Sequence, residues 1–172
     1  MNSLRLNFEN LRQGIFKDVF GALEAGFREF GIDYYIIGAF ARDLWLEDNK
    51  RLPDRRATLD LDLAIYIAEW QQYDSLKQYL HEVHGFVLDK EPYRLNSSDG
   101  LILDLIPFGG VEKSHQVYLD GNPPVQLSVF GTKEVVGQAV SIRVCSNFVF
   151  GDENSQFFDE TRRENRSLAI VK

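Results

Sequence analysis

The chain has 172 residues, 44% of them hydrophobic, which suits one globular domain with at most a small appendage and a core large enough to fold unaided. Acidic residues number 26 and basic ones 19, so the net charge of -7 disfavours a general nucleic-acid surface, though a local basic groove is compatible with it. Cys145 is the one cysteine, which excludes an intramolecular disulfide and a cysteine zinc cluster, and no apolar run approaches membrane-spanning length.

The first residues, Met1 to Asn7, lack the apolar core of a signal peptide, so a reducing cytoplasm is the expected compartment. Residues 8–30 carry Phe8, Leu11, Ile15, Val19, Phe20, Leu23, Phe27 and Phe30 at three- and four-residue spacing, which predicts a helix stopped by Gly31. Gly14, Gly21 and Gly26 weaken its intrinsic propensity, so packing must hold it. Residues 33–38 then read as a short strand ending at Gly38, and residues 39–46 as a helix. A strand that turns through glycine into a helix leaves free N–H groups at the helix start, where an anion can approach the backbone. Arg42, one turn into that helix, can reach a phosphate or pair with a neighbouring carboxylate.

Residues 47–55 form a charged loop containing Pro53. Arg56 joins it to the stretch Leu59 to Ile67, which alternates and then becomes continuously apolar, the pattern of a strand entering a core. Period two places Asp60 and Asp62 on one face and Leu59, Leu61 and Leu63 on the other. Adjacent carboxylates repel, and a hard divalent cation that takes oxygen ligands relieves the conflict. Two solvated aspartates on a wet strand face are the plainer alternative.

Residues 69–84 predict a helix with Trp70, Tyr73, Leu76, Leu80 and Val83 inward and His81 and His84 near its end, too few ligands for a metal site. Short strands follow at 86–88 and 92–96, then the turn cluster Ser97 to Gly100. Residues 101–108 read as a buried strand with one charge, Asp104. That charge needs compensation by a metal shared with Asp60 and Asp62, by a buried arginine, or by backbone N–H groups. Glu112, Lys113 and His115 follow in a loop. Further strands are predicted at 116–119, 125–129 and 139–144, with a helical turn at 132–136 and a polar tail from 146 that has a helical stretch around 159–168.

In order, Ile37-Gly38-Ala39-Phe40-Ala41-Arg42-Asp43, Arg56-Ala57-Thr58-Leu59-Asp60-Leu61-Asp62-Leu63 and Leu103-Asp104-Leu105-Ile106-Pro107-Phe108-Gly109-Gly110-Val111-Glu112 resemble the motifs of the nucleotidyltransferase superfamily of the DNA polymerase beta type. The similarity is greatest to small bacterial and archaeal members, among them the toxins of type IV toxin–antitoxin systems. The resemblance implies an α/β (α+β) fold, a short mixed sheet flanked by helices, over residues 1–145; residues 146–172, by their own composition, read as a partly helical or disordered tail. It implies transfer of a nucleoside monophosphate from an NTP to an acceptor RNA, protein or small molecule, with Mg2+ or Mn2+ as cofactor. Asp60, Asp62 and Asp104 would be the metal-binding and catalytic residues. Gly38, Ala39, Arg42, Arg56 and Thr58 would hold the nucleotide. It leaves an antitoxin or a second copy of the chain open as partner, and involves no membrane. Ala39 stands where the family usually has a second glycine or a serine, and the tail does not read like the helical region that follows the last strand in many relatives. A nucleotide- or metal-binding module of the same fold with little transfer is the alternative.

Overall fold

The computed structural model describes residues 4–6, 15–48, 59–137, 140–144 and 168–170. A mixed sheet forms its centre. In chain order its strands are β1 (Leu4–Leu6), β2 (Tyr34–Ile37), β3 (Asp60–Ile67), β4 (Val87–Leu88), β5 (Arg94–Asn96) and β6 (Ile102–Gly109). A two-stranded ribbon, β7 (Gln116–Leu119) and β8 (Val125–Ser128), stands apart, and β9 (Val140–Val144) and β10 (Leu168–Ile170) return to the main sheet. The helices are α1 (Ile15–Phe30), α2 (Gly38–Asp48), α3 (Trp70–His84) and the short α4 (Thr132–Val136). The order across the main sheet is β1-β9-β10-β2-β3-β6-β5-β4.

The central pair, β3 and β6, runs parallel over eight residues, and β2 and β5 flank it in antiparallel pairing. A parallel pair needs a crossover, and α3 with the short β4 and β5 occupies that connection. Leu61, Leu63, Ile65 and Ile67 are fully buried, as are Leu103 and Leu105 in register with the first two. This face lies under α1 and α3. Phe27 of α1 stacks on Tyr34, whose register partner is Ile65, and the Tyr73 hydroxyl of α3 donates to the Leu105 carbonyl at 3.2 Å. Burial raises the pKa of that phenol, so it stays a donor.

Helix α1 is held by packing, as its glycines require. A Cβ on Gly26 would stand 2.8 Å from Leu76 Cδ1, so the missing side chain is what lets α1 and α3 approach. Phe16, the second residue of α1, stacks on Phe40 at 4.7 Å and ties the start of α1 to the start of α2. Helix α3 is capped by Glu69, whose N–H the Gln72 side chain accepts at 3.4 Å, and is closed by Gly85 in the left-handed region.

Phe8 and Leu11 of the predicted first helix lie outside the described residues. Strands β1 and β10 were not expected from the pattern, because three residues carry no readable period. Part of the segment read as a tail is a sheet strand: β10 lies between β9 and β2, antiparallel to the first and parallel to the second. Leu168, placed at the end of a helical stretch from sequence, is the first residue of that strand, and residues 146–167 lie outside the described residues. Among the described residues no helix is long and apolar enough to cross a membrane.

Candidate active site

Register brings the acidic residues together. Asp62 and Asp104 are direct partners on the parallel strands β3 and β6, and Asp60 lies two residues before Asp62 on the same face. Asp60 is exposed, Asp62 is half-buried and Asp104 is buried, so the three descend from solvent toward the core. Desolvation raises the pKa of Asp62, with the charges of Asp104 and Asp60 adding to it and Arg94 opposing it least.

Gly38 closes this end of the sheet. Ile37, the last residue of β2, pairs with Asp62, and the chain turns into α2 through Gly38 at φ +71. A Cβ there would collide with Asp62 Oδ2, so only glycine fits both the turn and the carboxylate. The start of α2 and the Asp62 side chain are therefore immediate neighbours. An anion bound by the helix N-terminus would face the carboxylate and needs a cation between them.

Asp104 has a partner that sequence reasoning missed. Arg94, opposite Asp104 on antiparallel β5, donates from Nε to Oδ1 at 2.7 Å and from Nη2 to Oδ2 at 2.8 Å. These bonds raise the pKa of the guanidinium further above its ordinary value. Of the three compensations open from sequence, the arginine one is thus present, with a half-buried rather than a buried guanidinium. Arg42 turns instead to its neighbour Asp43, at 3.0 Å, on the exposed side of α2. Ala39, beside Gly38, is half-buried. Arg56 and Thr58 lie outside the described residues.

The loop residues after β6 brace the fold. Glu112 accepts the Gly109 N–H at 2.7 Å and pairs with Lys133 at 3.2 Å, and the His115 ring meets Phe130 edge-on. His81 Nδ1 lies 2.6 Å from the Phe86 carbonyl and His84 packs against Tyr79, as helix-end histidines do.

Among the described residues no group of three or more His, Cys, Asp or Glu is arranged to hold a metal ion. The donor chemistry of Asp60 and Asp62 nevertheless suits Mg2+, which commonly takes one or two carboxylates and completes its shell with water and phosphate. Three carboxylates face one guanidinium, so negative charge is left over among the described residues.

No family model matches the chain, and no curated protein matches it. Among solved structures it is similar to the lincosamide antibiotic adenylyltransferase LnuA with lincomycin bound, at TM-score 0.46 and 13% identity over 91% of this chain and 79% of that one. A CCA-adding enzyme in complex with CTP gives TM-score 0.36 and 21% identity over 54% of this chain and 20% of that one. The CD-NTase CdnG of Bradyrhizobium diazoefficiens in complex with GTP gives TM-score 0.41 and 16% identity over 81% of this chain and 45% of that one. These three neighbours are all nucleotidyltransferases.

The crowding of charge at Asp62 has a measurable consequence. Its pKa is raised in the folded chain, so folding binds a proton and the ionised form opposes folding. The penalty is absent below the ordinary value of 3.8 and complete once the pH passes the raised value. Asp62→Asn is expected to raise Tm in metal-free buffer at neutral pH by about 2–4 °C, the effect of ~1 kcal/mol in a chain of this length, with solvent screening already counted. Thermal melts of both proteins from pH 3.5 to 8 should diverge as the pH rises. Curves that stay parallel across the range would remove the charge-crowding account.

Proposed function

We propose that the chain is a metal-dependent nucleotidyltransferase of the DNA polymerase beta type, moving a nucleoside monophosphate from an NTP to an acceptor. The observation that carries this reading is the register of Asp62 with Asp104 beside the Gly38 turn. It joins an anion-binding helix start to a carboxylate cluster with unmatched negative charge.

Asp60 and Asp62 hold the Mg2+ or Mn2+, which, when bound, neutralises phosphate charge and the developing charge on the leaving oxygen. The N–H groups at the start of α2, from Gly38 and Ala39, take the β- and γ-phosphates. An acceptor hydroxyl oxygen bonds to the α-phosphorus while the bond from that phosphorus to the bridging oxygen breaks. Pyrophosphate leaves with the electron pair, and the hydroxyl proton passes to Asp104. Arg56 and Thr58, from the segment entering β3, complete the nucleotide contacts.

The test is incubation of the chain with each α-labelled NTP and Mg2+ or Mn2+ in the presence of RNA, protein and aminoglycoside-like acceptors. Labelled acceptor and released pyrophosphate are expected in equal amounts. Tight NTP binding without label on any acceptor would favour the alternative, a nucleotide-binding module, for which the Arg94 fork on Asp104 is the specific supporting observation.

A further inference from the structure

The oxygens of Asp104 are both occupied. Arg94 forks onto them from the neighbouring strand, and the pairing is fixed by backbone register, since Arg94 and Asp104 are direct partners with Leu95–Leu103 and Asn96–Ile102 following. The turn that sets this register is itself pinned, with Ser97 Oγ accepting the Leu101 N–H at 3.0 Å. A carboxylate held by a bidentate guanidinium has its best lone pairs engaged and cannot offer them to a cation at the same time. Asp60 and Asp62 carry no comparable fork among the described residues.

Burial also differs between the partners. The Arg94 side chain is 31% exposed and that of Asp104 12%, so the arginine is the more accessible partner to solvent and solutes. Arginine forks match phosphate as well as carboxylate, so a phosphate arriving beside Asp104 competes for the same donors.

We propose that Arg94 is a positioning residue that keeps Asp104 out of the cation site until a phosphate of the substrate draws the guanidinium away. In the nucleotide-free chain the cation then meets Asp60 and Asp62 alone, and Asp104 joins when the nucleotide is present. The exchange couples completion of the carboxylate site to arrival of substrate, so Asp104 is freed as proton acceptor only when there is something to transfer. This inference rests on the nucleotidyl-transfer reading above.

The experiment measures Mn2+ binding by electron paramagnetic resonance, with folding checked by circular dichroism. Without nucleotide, Asp60→Asn should abolish binding, while Asp104→Asn should change affinity by less than about threefold, because a forked carboxylate adds little to the ligand charge a cation meets. With a non-hydrolysable NTP present, Asp104→Asn should weaken capture of the Mn2+–nucleotide complex by about tenfold or more, since the freed carboxylate now counts toward that charge. Arg94→Gln should raise nucleotide-free Mn2+ affinity by about tenfold, and Arg94→Gln with Asp104→Asn should cancel the gain. Should Arg94→Gln not fold, Arg94→Lys, a single-point partner that leaves one oxygen open, should show a smaller gain in the same direction. Equal losses from Asp60→Asn and Asp104→Asn without nucleotide would overturn the inference and leave the transferase reading intact. No Mn2+ binding by the wild type, with or without nucleotide, would overturn both.

Discussion

Arg94→Ala is expected to lower the unfolding free energy by about 3 kcal/mol, with 5 kcal/mol as the upper end for breaking a buried ion pair from one side. The effect is not the worth of one salt bridge. Asp104 sits within β6 between Leu103 and Leu105, both fully buried, and its carboxylate loses both donors. Water reaches the site partly through the space Arg94 vacates, which is why the lower end applies. The loss of the guanidinium also removes a cation–π contact, since its Cζ lies over the Tyr93 ring at 5.8 Å from the centroid. In thermal melts this corresponds to a drop of roughly 6–12 °C for a chain of this length. Arg94→Met with Asp104→Leu should recover most of the loss, because an apolar pair of similar volume removes the unpaired charge. Urea unfolding of the three proteins decides the matter. A single variant within 1 kcal/mol of wild type would mean that Asp104 finds water or another donor, and that the fork is no structural element.

The cost of Asp104 was legible from sequence, but its partner was not, although a signal existed. The cluster Ser97 to Gly100 marks a turn, and folding the chain back about it sets residues 94 and 104 opposite each other. Reading 92–96 and 101–108 as a hairpin rather than as separate strands would have found Arg94. Period two placed Asp60 and Asp62 on one face, and the glycine before α2 marked the turn, because both signals are local. The pairing of Asp62 with Asp104 is not local. About forty residues and a helix separate them, and no hydrophobic pattern fixes the register of two parallel strands joined by such a crossover. That Gly38 presses on Asp62 follows from the same long-range pairing, since the β2–β3 register puts Ile37 beside the carboxylate. The β10 strand was illegible for a different reason. Three residues inserted between β9 and β2 owe their conformation to the sheet around them, not to a propensity of their own.

Asp62→Asn is expected to lower nucleotidyl transfer by about 10^3-fold, the effect of roughly 4 kcal/mol of lost transition-state stabilisation at 1.36 kcal/mol per decade. The substitution changes almost no volume and leaves the Gly38 contact in place, so neither packing nor the α2 turn accounts for such a loss. Asn keeps one carbonyl oxygen but carries no charge, and the hard divalent cation that Asp60 and Asp62 would hold discriminates strongly against it. The same variant should be more stable than wild type in metal-free buffer, because desolvation and repulsion from Asp104 and Asp60 oppose the charge on the Asp62 carboxylate. Opposite signs for stability and rate separate a functional carboxylate from a structural one: a side chain kept for the fold loses both when replaced. The decisive measurement sets Tm against the initial rate of pyrophosphate release at saturating NTP and Mn2+. A variant that is both less stable and only a few-fold slower would assign Asp62 to the scaffold, and the carboxylate cluster would then have to be explained without catalysis.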